Sequence, residues 1–245
     1  MRTPLRSPST SEADGLRSGP TAPTTAVIPR NAATSAKPPQ LRQAEISPLS
    51  PAQAKAFLEA AQGDRLEALY VLAITAGLRQ GELLGLMWED VDLEAGTLQA
   101  RRTLSNGTFA ASKTAKSHRN VKSAANALET LKHHRKRQLD ERERMANLWQ
   151  EHGLVFVTGI GTPINRHNLN CRFFKPLLKH AGLPDIRFHE LRHICATLLL
   201  SKGVHAKFVQ ELLGNATIAV TLDTYSYVLP GMGNHAADAM EDALS

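Results

Sequence analysis

Nine of the chain's thirteen prolines fall within its first 51 residues, and no Phe, Tyr or Trp occurs before Phe57. Such a front cannot build a core, because aromatic and branched aliphatic side chains are what offset the entropy of ordering a chain. Residues 1–45 are therefore expected to be a disordered or linker segment, which leaves 46–245 to form the folded domain. Roughly 200 residues are enough for one sizeable hydrophobic core. The front is not a secretory signal either, since its apolar stretch Ala26-Val27-Ile28 is too short for an h-region. No later window approaches the roughly 18–20 apolar residues of a membrane span. Two cysteines, Cys171 and Cys195, are too few for a disulfide framework and fit a reducing cytoplasm.

Charge narrows the partner. The chain carries 29 Lys and Arg against 23 Asp and Glu, a net +6. Between Arg101 and Arg144 twelve basic residues face four acidic ones, so this stretch alone exceeds the net charge of the whole. A local basic field on a near-neutral body points to a polyanion, most often nucleic acid. Arg101, Arg102, Lys116 and Arg119 are the expected DNA contacts. For residues 132–144, whose signs are mixed, a solvated helix face is an equally good reading.

The pattern along the chain predicts a mainly α fold with a small antiparallel β-sheet. Ser50-Pro51 starts a helix that ends at Gly63, and Leu66 to Ala76 forms a second one stopped by Gly77. A third runs from about Gln80 to Leu86. Thr97 to Leu104 has strand character, Asn106-Gly107 is a hairpin turn, and Thr108 to Ser112 can return, with a short strand around Asn120-Val121. A long charged helix covers Ala124 to about Glu151. Further helices are expected over Asn165–His180 and Phe188–Ser201, and Thr217 starts a last one bearing Tyr225.

His189-Glu190-Leu191-Arg192-His193 admits two readings. As a string it matches H-E-x-x-H, in which two histidines one turn apart hold zinc. Against this, Arg192 would set a guanidinium beside the metal, and only His205 and Glu211 are at hand as a third ligand. On a helical wheel Leu191, Ile194, Cys195 and Leu198 share one arc, while His189, Arg192 and His193 lie opposite. Fixed positive charge beside an imidazole suits a phosphodiester.

The ordered set Thr75-Ala-Gly-Leu-Arg79-Gln-Gly-Glu82, the basic turn at Lys113, H-E-L-R-H, Leu212-Leu-Gly-Asn215 and Thr221-Leu-Asp-Thr-Tyr225 resembles the catalytic domain of the tyrosine recombinase (phage integrase) family, from about Ile46 to Leu229. The resemblance implies a DNA strand-breaking and rejoining enzyme that acts on double-stranded DNA through a covalent 3′-phosphotyrosine. It implies no metal, no cofactor and no small-molecule substrate, and a homo-oligomer, a tetramer on DNA. Arg79 and Arg192 would clamp the scissile phosphate, and Glu82 would support the site. Tyr225 would be the nucleophile, with Tyr227 as its rival. Lys113, or Lys116 three residues on, would protonate the leaving 5′-oxygen. His189 would exchange a proton with the tyrosine or bind phosphate, leaving His193 a supporting role.

Two departures from the family pattern stand out. Asn215 occupies the position after Leu-Gly where the family usually has His or Trp, and an amide donates but carries no charge. The residues before about 46 are also too few and too polar to form the helical core-binding domain that the family places ahead of the catalytic one. The chain is thus expected to be a truncated recombinase with reduced activity or a non-catalytic DNA-binding remnant, and the sequence leaves both open.

Overall fold

The chain divides into Met1–Ala44 and Glu45–Ser245. The computed structural model describes residues 49–105, 107–111, 119–225, 240–242 and 244, so the linker segment expected over 1–45 lies outside the described residues, as do Lys113, Lys116 and Tyr227.

Helix α1 (Pro51–Ala60) begins as its sequence dictates. Ser50 Oγ accepts from the Gln53 amide, and the Gln53 side chain accepts from the Ser50 amide, closing a capping box behind Pro51. Helix α2 (Glu67–Thr75) is buried continuously from Ala68 to Ile74, the mark of a helix enclosed on all sides. It packs against the long α4 (Ala125–Met145) and against α7 (Glu190–Ser201). Short α3 (Gln80–Leu84) follows the turn at Gly77.

The expected strand over Thr97–Leu104 is two strands. β1 (Val91–Asp92), β2 (Thr97–Ala100) and β5 (Arg119–Lys122) make an antiparallel sheet in the order β1-β2-β5. β3 (Arg102–Ser105) and β4 (Thr108–Ala111) form a separate hairpin with Ser105 opposite Thr108, as Asn106-Gly107 predicts. Leu98, Ala100 and Leu104 are all buried, so the inward parity continues through Arg101 while the strand changes partner. Alternation reports a face and not a neighbour.

The charged helix stops at Met145, six residues before the expected end, and Ala146 turns the chain with a φ of 43°. Within it His134 and Gln138 face inward. The His134 ring lies between Trp88 and Phe156, and its Nε2 contacts the Val155 carbonyl at 2.7 Å. Arg137 donates to the carbonyls of Asp64 and Arg65, and Arg135 lies over Trp88. Lys132, His133 and Lys136 are exposed. The run is thus mainly a solvated face, with part of its charge used in packing.

The expected helix over 165–180 is present in three segments: α5 (Arg166–Asn168), a π-helical stretch (Leu169–Phe174) and α6 (Lys175–His180). Lys175 N–H reaches back five residues to the Asn170 carbonyl, and Pro176, which has no N–H to donate, follows directly. The π-helical stretch thus ends directly before the residue that cannot continue the amide ladder. Phe174 on this segment meets Phe57 and Phe188 edge-on at 5.8 and 5.2 Å, closing the core. Helices α8 (Ala206–Leu213) and α9 (Ile218–Tyr225) pack beyond α7. Among the described residues, no helix is long and apolar enough to cross a membrane.

Candidate active site

The site forms where the α2–α3 turn, β5, α7 and the end of α8 converge. Gly77 makes the turn possible. It adopts a φ of 58°, and a Cβ there would lie 2.6 Å from Leu213 Cδ2 and 3.2 Å from Cys195 Sγ. The turn therefore lies flat against α7 and α8, delivering the Gly77 carbonyl and, two residues on, Arg79.

Glu82 sits beneath Arg79 with only 7% of its side chain exposed. Its Oε2 accepts from the Arg79 amide and from Arg119 Nη2, both at 2.9 Å, and its Oε1 from Arg79 Nη1 at 2.9 Å and Arg119 Nη1 at 3.2 Å. Burial by itself would raise the Glu82 pKa. The Arg119 fork, together with the Arg79 amide and charge, outweighs it and holds the carboxyl below its usual range.

Arg192 is 4% exposed. Its Nη1 donates to the Gly77 carbonyl at 2.7 Å, and its Nη2 to the Leu213 carbonyl at 2.6 Å and to Asn215 Oδ1 at 2.8 Å. Burial, then the charges of Arg79 and Arg119, push its pKa down to about 10, so it stays protonated at neutral pH. Its three acceptors are all neutral. Arg79 and Arg119 share the Glu82 carboxylate, and Arg192 adds a third guanidinium beside them with no carboxylate contact of its own, so the surplus positive charge suits a phosphate. Arg79 is the outward member, with 41% of its side chain exposed.

On α7 the rings of His189 and His193 meet edge-on at 5.0 Å. His193 Nδ1 lies 2.8 Å from the Tyr225 hydroxyl. Burial lowers the pKa of His193, Glu190 opposes that shift and Arg192 adds to it, so the imidazole is neutral near pH 7. His189 is also lowered, by burial and then by its neighbours His193 and Arg192, although its exposed edge softens the effect. Tyr225 itself is 2% exposed and packs with Ala196, Leu200, Val209 and Leu213.

These positions correct several expectations. Arg192 does not face outward, because its guanidinium is held against the Gly77 turn and the end of α8, while His189 on the same arc is exposed. His193, expected to support, holds the hydroxyl contact expected of His189. Arg119, expected at the DNA surface, lies inside on Glu82. Arg102 pairs with Glu89 and Asp90, while Arg101 is half-exposed and 3.5 Å from Asp90. Glu190 pairs with Arg187, and His193 Nδ1 is taken by the Tyr225 hydroxyl, an arrangement that stands against the zinc reading. Asn215 does join the site: its Oδ1 accepts from Arg192 and its Nδ2 donates to Thr221 Oγ1 at 3.0 Å. Thr221, fully buried, is a supporting residue that the sequence reading missed.

A site of clustered guanidinia beside a histidine-held tyrosine, on a mainly α scaffold, has the charge and donors to hold a phosphate-like anion. The chain belongs to the phage integrase family, whose model matches residues 47–230. It is 36% identical over 221 residues to a tyrosine recombinase XerC-like protein of Caldanaerobacter subterraneus subsp. tengcongensis, covering 84% of this chain and 56% of that one. It is 33% identical to an integrase of Streptomyces ambofaciens, covering 71% of this chain and 47% of the relative. The chain therefore spans about half the length of these curated relatives. Among solved structures, XerA recombinase is similar with a TM-score of 0.62 and 28% identity, over 78% of this chain and 65% of that one. The Tn1549 transposon integrase, in complex with transposon right end DNA, shares the fold at a TM-score of 0.68 and 23% identity, over 84% and 69% of the two chains.

Proposed function

We propose that this chain provides the catalytic domain of a site-specific DNA recombinase that cleaves and rejoins strands of duplex DNA through Tyr225. The observation that carries the reading is the shared carboxylate: three clustered guanidinia, one countercharge, and a tyrosine hydroxyl held on a neutral imidazole. In the forward step the Tyr225 oxygen forms a bond to phosphorus as the bond from phosphorus to the 5′-oxygen breaks. The phenolic proton passes to His193 Nδ1. Arg79 and Arg192 bind the non-bridging oxygens, whose growing charge each guanidinium follows in the transition state, a contribution of about 3 kcal/mol for a well-placed donor. Lys113, with Lys116 as its alternative, donates the proton that the leaving 5′-oxygen needs. His189, beside His193, binds the phosphate. The reverse sequence, with the 5′-hydroxyl of another strand, rejoins the DNA, and the phosphotyrosyl bond conserves the energy so that ATP is not consumed.

Tyr225 is buried at rest, so the reading requires its hydroxyl to be uncovered when DNA binds. The partner is duplex DNA, on which the family resemblance suggests a homotetramer, in a cytoplasmic setting. A nicked suicide duplex should trap a covalent complex with the wild-type chain and none with Tyr225→Phe, while both bind the duplex with a similar salt dependence. Equal trapping by the Phe variant refutes the nucleophile. Binding without any wild-type adduct would place the chain in the non-catalytic class.

A further inference from the structure

Three consecutive carbonyls at the end of α8 accept from three different guanidinia. Leu212 O receives Arg119 Nε at 2.7 Å, Leu213 O receives Arg192 Nη2 at 2.6 Å, and Gly214 O receives Arg79 Nη2 at 3.4 Å. These are the unpaired carbonyls of a helix C-terminus, where the helix dipole is negative. Gly214 lets the helix end there: its φ is 64°, and a Cβ on it would press to 2.9 Å from Arg119 Nη1. Arg119 is the member of the three whose terminal nitrogens both go to the Glu82 carboxylate. Only 7% of its side chain is exposed, and its donors go to Glu82 and to Leu212 O.

We propose that Arg119 is a positioning residue for strand cleavage: braced on the end of α8, it orients Glu82, and Glu82 in turn sets the angle of the Arg79 guanidinium that meets the scissile phosphate. The inference rests on the proposed recombinase reading. A pure brace between β5, α3 and α8 could be apolar, since a buried ion pair is often no more stabilising than a well-packed apolar replacement. What a guanidinium adds is its planar fork. With two N–H groups on the two oxygens of Glu82, it fixes the plane of the carboxylate, leaving one lone pair on each oxygen for the Arg79 amide and Nη1. The Arg79 side chain is then tied at both ends, to Glu82 and to Gly214 O.

The test uses the full chain and two suicide duplexes, one with an ordinary scissile phosphodiester and one with an uncharged methylphosphonate at that position. Misplacing a catalytic group by about 1 Å costs on the order of 100-fold, so Arg119→Gln should slow adduct formation on the phosphodiester by about that much. On the methylphosphonate, where the arginine has less charge to neutralise, the loss should shrink to under about 10-fold. Arg119→Lys keeps the charge but loses the fork, and should fall between wild type and Gln on the phosphodiester. Arg119→Gln and Glu82→Gln should be non-additive when combined. Equal slowing on the two substrates would mean a merely loosened fold and overturn the inference, as would additive losses. If Arg119→Gln does not fold, Arg119→Lys and its combination with Glu82→Gln carry the same comparisons. Absence of a wild-type adduct strikes the recombinase reading itself, whereas a wild-type adduct with Arg119→Lys fully active overturns only the positioning role.

Discussion

Replacing Glu82 by Gln probes the electrostatics of the site directly. The carboxylate receives four N–H donors from two arginines, and its own exposure is 7%. Gln keeps one acceptor oxygen but turns an NH2 group toward guanidinia that can only donate. It also leaves three clustered cations with no countercharge among the described residues. Removing one partner of a buried pair costs about 3–5 kcal/mol. For a domain of this size each kcal/mol is worth about 2–4 °C in Tm, so Glu82→Gln should melt on the order of 10 °C below wild type at pH 7.

The pH dependence makes the test specific. Glu82 in the folded chain lies below the usual carboxylate range, whereas unfolded Glu titrates near about 4.3. Its contribution is therefore complete above the unfolded value and is lost as pH falls through the folded one. The Tm difference between wild type and Glu82→Gln should be flat from about pH 7 down to pH 5 and close at more acid pH. Taking the difference cancels the other carboxylates, which titrate in both proteins. Thermal melts across this range settle the matter: a gap below about 2 °C at pH 7, or one that persists unchanged to pH 3, would refute the shared-carboxylate account.

Other outcomes follow from the same geometry. Gly77→Ala forces a Cβ into a left-handed turn 2.6 Å from Leu213 Cδ2, which should cost about 2 kcal/mol or more. Because the Gly77 carbonyl is also an acceptor for Arg192, adduct formation should fall along with the melting temperature. On α4, burial pushes the His134 pKa down to about 4, so the unfolded chain binds a proton between that value and about 6.5 that the folded chain refuses. Stability should therefore rise with pH across that window, by up to about 3 kcal/mol, and His134→Gln should flatten the slope seen in denaturant midpoints at pH 5 and pH 7.

How far the sequence alone could reach depended on whether a signal was local. Ser50-Pro51 and Gly77 act within a few residues, and each starts or stops its expected element. The π-helical stretch before Pro176, whose Phe174 packs edge-on against Phe57 and Phe188, has no such local signal. A charge count places Arg119 at the surface because it cannot tell a guanidinium in water from one seated on a carboxylate 37 positions away. The strand carried the missing signal. Arg119 and Val121 have the same parity in β5 and both are buried, while Asn120 and Lys122 are exposed. His193 gave no comparable warning, since whether it or His189 meets Tyr225 depends on where α9 packs. The basic excess between Arg101 and Arg144 changes meaning accordingly. Arg119 balances Glu82, Arg102 balances Glu89 and Asp90, and Arg137 serves two carbonyls, so fewer of these cations are free at the surface than the count implies. The concentrated positive charge lies instead around Glu82, where buried Arg192 backs the half-exposed Arg79, and the lower dielectric there makes each guanidinium count for more against a phosphate than it would on the exposed face of α4.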